Sequence, residues 1–201
     1  MSQVSLERAH HEASPALTPT QIDNAKFAMW LYLASEVVIF AAFIAIYIVF
    51  RYNNPEVVHT IHEEVGIGLV SFNTFLLLAS SWAMVMGLQQ IQRGNQKGLV
   101  QWIGATAALG TIFVALQYVE YNELAHLGLS LSTEFGMRFY APTAFHGAHV
   151  IIGVLWALRV ILRARKGYYS AHNYLGVEIF GLYWHFVDVV WILLFTVIYL
   201  V

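Results

Sequence analysis

The chain has no cysteine among its 201 residues. Disulfides, thiolate metal sites and catalytic thiols are excluded together. Charge is nearly as scarce. Asp, Glu, Lys and Arg make up 11% of the residues, against about 25% in an ordinary soluble domain. What charge exists almost cancels, at a formal net of −2, so no nucleic-acid partner is implied. Residues 1–26 are polar, carry Pro15 and Pro19, and contain no apolar core of the kind a cleaved signal peptide has. They read as a mobile or surface-lying tail. No internal repeat and no soluble domain is visible.

Apolar residues fill 59% of the sequence. Spanning a bilayer takes about 20 mostly apolar residues at about 1.5 Å rise each. Five stretches qualify: about 27–50, 66–90, 98–121, 139–163 and 178–201. Backbone polar groups cannot go unpaired in lipid, so these stretches are expected to be helices, and the alternation of barrel strands is absent. The predicted fold is all-α: a polytopic bundle of five transmembrane helices (27–201) behind the polar tail (1–26). Breaks fall at Asn53-Asn54-Pro55 and the acidic run ending at Glu64, at residues 92–98, at Glu123 to Arg138, and after Arg163, Arg165 and Lys166. Arg8, Lys26, Arg93, Lys97, Arg159, Arg163, Arg165 and Lys166 fall on one side of such a chain, and only Arg51 and Arg138 on the other. The positive-inside rule then places the N-terminus and the tail in the cytoplasm and the C-terminus outside. Small residues four apart (Ala79, Ala83 and Gly87; Ala107, Thr111 and Ala115; Ala144 and Ala148; Gly153 and Ala157) fit close helix packing or a docking face for another subunit.

Ionisable groups inside the apolar stretches are the candidate functional residues, because a charge at mid-bilayer costs roughly 2.5–3.5 kcal/mol even on lenient scales. Glu36 stands alone in residues 27–50, about ten residues in, or roughly 15 Å along the axis. Burial favours its neutral acid form. It reads as a proton-handling group, a lipid contact or a hydrogen-bond donor to a neighbouring helix. His146 and His149 are spaced i and i+3, as are His185 and Asp188, and such pairs share a helix side. With Glu120 they could form a carboxylate–histidine cluster. Di-iron bundles repeat a Glu-x-x-His pair and add further glutamates; this chain does not, so no metal site is assigned, and a polar network that locks helices or holds a lipid headgroup is the competing reading. Tyr and Trp near the helix ends, Tyr183 and Trp184 among them, read as aromatic belts.

Several segments taken together resemble the cytochrome c oxidase subunit III family of haem–copper oxidases. Tyr183-Trp184-His185-Phe186-Val187-Asp188-Val189-Val190-Trp191 is similar to the family's WHFVDVVW signature, and Phe145-His146-Gly147-Ala148-His149-Val150-Ile151-Ile152-Gly153 to its FHGxHVxxG helix. Ser35-Glu36 resembles the family's SE pair, whose carboxyl reacts with carbodiimide in some members. Asn73-Thr74 with Ser80-Ser81, and Gln117-Tyr118-Val119-Glu120-Tyr121, match as well. The resemblance runs from about residue 27 to the end, and five motifs in order on separate helices are specific. The chain is similar to the short, five-helix form found in bacterial cytochrome c and quinol oxidases, without the first two helices of the longest members.

The resemblance implies a non-catalytic subunit of a proton-pumping terminal oxidase in aerobic electron transport, in a bacterial plasma membrane. It implies packing on subunit I, with subunit II in the same complex; phospholipid held in a cleft, here expected between helices one and two and the other three; and support of proton uptake and sustained turnover. Glu36, Glu120, His146, His149, His185 and Asp188 are the lipid- or proton-related candidates. Haem and copper are expected in partner subunits and none in this chain. The alternatives are the related accessory subunit of a nitric oxide reductase, a stand-alone membrane metalloenzyme built on the histidine–acid cluster, and a proton-coupled transporter, against which the lack of an inverted repeat counts.

Overall fold

A computed structural model describes residues 18–56, 67–126 and 133–200. The first 17 residues of the tail, the acidic run from residue 57 to Glu64 and the middle of the third break lie outside the described residues. Five helices are long and apolar enough to cross a membrane, and no strand occurs among the described residues. They are α1 (Pro19–Asn53), α2 (Ile67–Gln92), α3 (Gln96–His126), α4 (Glu134–Arg165) and α5 (Leu175–Phe195), the last continued by a π-helical turn, Thr196–Leu200. The chain is a multi-pass membrane protein. Many of its large apolar side chains face outward: Phe27, Val38, Phe75 and Leu155 are all more than half exposed, as lipid-facing residues must be.

The helices overrun the apolar stretches, most of all at the start of α1. Thr18 accepts from the backbone N–H of Gln21, whose side chain in turn accepts from the N–H of Thr18, and Pro19 occupies the first turn. That capping box starts the helix eight residues before the apolar run begins. At 35 residues, α1 is about 52 Å long and overshoots a hydrocarbon core of about 30 Å. Glu36 nevertheless keeps its expected depth when measured from Lys26. That lysine is bonded to Glu178 at the start of α5, 2.7 Å away, and ten residues separate it from Glu36. Gly94 and Gly167, at φ of 76° and 75°, close the short turns after α2 and α4, conformations that a Cβ would strain.

Helices α2 to α5 form a ring. α2 packs on α3, α3 on α4, α4 on α5, and α5 returns to α2, the interface of α2 with α3 being the most extensive. α1 stands outside it, lying on α4 and α5 and sharing no extensive interface with α2. The expected division, helices one and two against the other three, is therefore corrected: α2 belongs to the ring. The reason is polar. The Asn73 amide donates to Phe113 O (3.2 Å), Trp191 Nε1 to Thr74 Oγ1 (2.9 Å) and Trp184 Nε1 to Ser80 Oγ (3.0 Å). In hydrocarbon these donors have no other partners, so α2 is tied to α3 and α5.

The centre of the ring is Trp184, which is fully buried. A Cβ built on Gly110 of α3 would lie 2.6 Å from its Cη2, and one on Gly153 of α4 2.6 Å from its Cζ3. The indole occupies the space that two missing side chains leave. Tyr183 and Trp184 are thus interior residues rather than part of an aromatic belt. Of the small-residue stripes, Gly87 and Gly153 face neighbouring helices, while Thr111, Ala115, Ala144 and Ala148 point outward.

Candidate functional site

Glu36 is buried at the contact of α1 with α4. One of its carboxyl oxygens, Oε2, lies 3.3 Å from His149 Nε2. The other ring nitrogen, His149 Nδ1, is 2.8 Å from the carbonyl oxygen of Phe145. A carbonyl can only accept, so Nδ1 carries the hydrogen. In the neutral ring Nε2 is then a bare acceptor facing an acid. The two groups face each other across 3.3 Å, with no well-formed hydrogen bond to Oε2 among the described residues. Phe40 and Phe145 pack edge-on against His149, the Tyr183 hydroxyl donates to the His149 carbonyl (2.9 Å), and the Tyr32 ring lies 6.5 Å from that of Tyr183. The acid and the base meet inside an aromatic cage.

A second polar group joins α2 to α5. Ser81 Oγ is 2.7 Å from His185 Nδ1. Asp188 is buried one turn further along α5 and faces the same hydroxyl. Neither of its carboxyl oxygens has a well-formed hydrogen bond among the described residues. His146 is elsewhere again. It is fully buried in the ring, stacked on Trp191 (4.9 Å) and against the edge of Phe113 (5.7 Å), with neither ring nitrogen bonded among the described residues. Glu120 lies near the far end of α3, beside the Tyr199 hydroxyl of the π turn and below the Tyr121–Thr143 hydrogen bond of 2.8 Å. In that turn the Ile198 carbonyl accepts from Tyr47 at 3.3 Å.

The six sequence candidates thus fall in four places rather than one cluster. Residues at i and i+3 on a helix point about 60° apart. Inside a bundle that angle suffices to send His146 to the ring centre and His149 to α1. Among the described residues no three metal-capable side chains converge. What the structure brings together is a buried acid–base pair, Glu36 with His149, and a Ser81–His185 hydrogen bond with Asp188 near the same hydroxyl. Sequence reasoning missed the pairing of Glu36 with His149 and the part of Ser81. The first signal was available: Glu36 lies ten residues beyond Lys26, and His149 ten before Arg159, so antiparallel helices put them at one level.

A sequence profile described as cytochrome c oxidase subunit III matches residues 11–201. "Cytochrome c oxidase subunit 3" of Synechocystis sp. is 41% identical over 180 residues, covering 89% of this chain and 76% of that protein. The protein of the same name from Thermostichus vulcanus is 37% identical over 178 residues, covering 85% and 84%. "Quinol oxidase subunit 3" of Bacillus subtilis is 33% identical over 200 residues, covering 97% of both. The chain belongs to the cytochrome c oxidase subunit III family.

Proposed function

We propose that this chain is the non-catalytic third subunit of a haem–copper terminal oxidase, held on subunit I beside subunit II, with the Lys26 end of its helices in the cytoplasm. Family membership carries the subunit role. The buried Glu36–His149 pair supports the finer reading. A group that holds one exchangeable proton between two sites in a water-poor bundle can buffer proton uptake by a neighbour without introducing net charge into lipid. Haem and copper chemistry belongs to the partner subunits on this reading.

The chain also organises phospholipid. A groove of about 570 Å³ runs between α4 and α5 at the Lys26 end, with Ile152, Leu155 and Trp156 below and Arg159, Arg163 and Tyr169 above. Basic groups over an apolar floor match an anionic headgroup over acyl chains. On this reading the lipid lies on α4 and α5, whereas the sequence suggested a site between helices one and two and the other three.

Purification of the tagged chain in mild detergent tests the subunit role: haem- and copper-bearing subunits are expected with it, and recovery of the chain alone rejects the reading. The proton role is tested separately, by oxygen consumption over many turnovers in an assembled Glu36→Gln complex. A shortened active lifetime or lowered proton uptake is expected. An unchanged initial rate, lifetime and proton stoichiometry would reject proton handling and leave the subunit role standing.

A further inference from the structure

α1 and α5 part to leave a second groove of about 460 Å³. Trp30, Leu33, Ala34 and Val37 form one wall; Leu182, His185, Phe186 and Val189 form the other. Both sets are spaced i, i+3, i+4, i+7, so each is a single stripe along its helix. Apart from the indole N–H of Trp30, the lining side chains offer one polar group, the imidazole of His185. Its Nδ1 is taken by Ser81, and its Nε2 has no protein partner among the described residues.

The depth of this nitrogen restricts what can bind it. Glu178, which pairs with Lys26, marks the charged level of the chain. His185 lies seven residues further along α5, about 10 Å deeper. A phosphate or ammonium headgroup would have to leave water to reach it. An acyl chain would fill the groove but leave Nε2 unpaired in hydrocarbon. The chemistry that fits is neutral, membrane-dissolved and largely apolar, with one hydrogen-bonding group on a flat head that can lie between Trp30 and Phe186.

The relay behind the histidine serves two forms of such a head. When the Ser81 hydroxyl donates to Nδ1, Nε2 carries the hydrogen and can donate to a carbonyl. When Nδ1 donates to Ser81, the hydroxyl is free to donate to Asp188, and Nε2 becomes an acceptor for a hydroxyl. Only hydrogens move between the two states. We propose that this groove is a binding site for an isoprenoid-type quinone and its quinol, with the ring carbonyl or hydroxyl on His185 Nε2. The site lies within this chain and does not depend on the oxidase reading.

The test is photolabelling of the native complex with a ring-azido quinone, followed by peptide mass spectrometry. Adducts are expected on the segments 30–37 and 182–189, reduced at least fivefold by excess decylquinone. Ala34→Phe, which fills the groove from its exposed lip, is expected to reduce labelling at least fivefold while complex yield is unchanged. Val189→Trp narrows it from the other wall and serves if Ala34→Phe does not assemble. His185→Phe removes the polar anchor and is expected to act likewise. Labelling confined to other segments, labelling that none of these variants lowers, or equal displacement by diacylglycerol would overturn the proposal. So would a structure of the complex with a partner side chain seated in the groove.

Discussion

Replacing Gly153 by alanine adds one methyl group at the tightest point of the bundle. The new Cβ would lie 2.6 Å from Trp184 Cζ3 and 2.8 Å from Cε3, with Tyr183 Cε1 at 3.3 Å beside them. Carbon atoms in contact prefer about 3.5 Å or more, so the overlap is roughly 0.9 Å. The indole has nowhere to go. Gly110 bounds its opposite edge, and its Nε1 is held by Ser80. Overpacking of a filled core costs about 1–3 kcal/mol, and loosening the Trp184–Ser80 hydrogen bond adds about 0.5–1.5 kcal/mol. Gly153→Ala should therefore destabilise the chain by about 2–4 kcal/mol, read from unfolding of the purified protein in mixed detergent micelles. The decisive comparison is made in a Trp184→Leu background. There the clashing ring atoms are gone, and the same alanine should cost close to nothing. An equal cost in both backgrounds would refute the keyed packing of Trp184, as would a Gly153→Ala protein within about 0.5 kcal/mol of wild type.

Three further outcomes are expected. Glu36→Ala should leave His149 Nε2 buried without a partner and cost about 1–3 kcal/mol, whereas Glu36→Gln keeps a donor toward that nitrogen and should unfold close to wild type; equal losses in the two variants would argue against the pair. Lys26→Glu and Glu178→Lys should each weaken the hold of α1 on α5, and the double exchange should recover most of the loss, though the whole effect should stay within about 1 kcal/mol because the pair is partly exposed; proteolysis of α1 in micelles would report it. Single cysteines placed in the turns at Gly94 and Gly167 should resist an impermeant thiol reagent in intact cells, and one placed at Asn54 should react; the reverse pattern would invert the proposed orientation.

The five spans were legible because hydropathy and the charged breaks between them depend on composition alone. The start of α1 was not, since it rests on a capping exchange between Thr18 and Gln21 rather than on apolar content. Candidate residues were legible as types, because an ionisable group in a lipid-facing stretch is anomalous wherever it points. Their partners were not. Spacing suggested His146 with His149, yet the structure pairs His149 with Glu36, 113 residues away in sequence, and leaves His146 among aromatic rings. Helix order in space was equally hidden: α2 is drawn into the ring by Ser80, Ser81, Asn73 and Thr74, whose bonds run to residues on α3 and α5.

The position of α1 outside the ring has a consequence for biogenesis. It is the first of the five helices to leave the ribosome, yet its packing partners are the last two. At about 5–20 residues per second, the 113 residues from Glu36 to His149 take roughly 6–23 s to synthesise. Throughout that interval the acid is in the bilayer, or waiting beside it, without the imidazole that later faces it. The newborn helix must therefore enter lipid with this carboxyl unpartnered or be shielded by the insertion machinery, and the closing of α4 and α5 onto it marks the moment at which the subunit is complete enough to be handed to its partners.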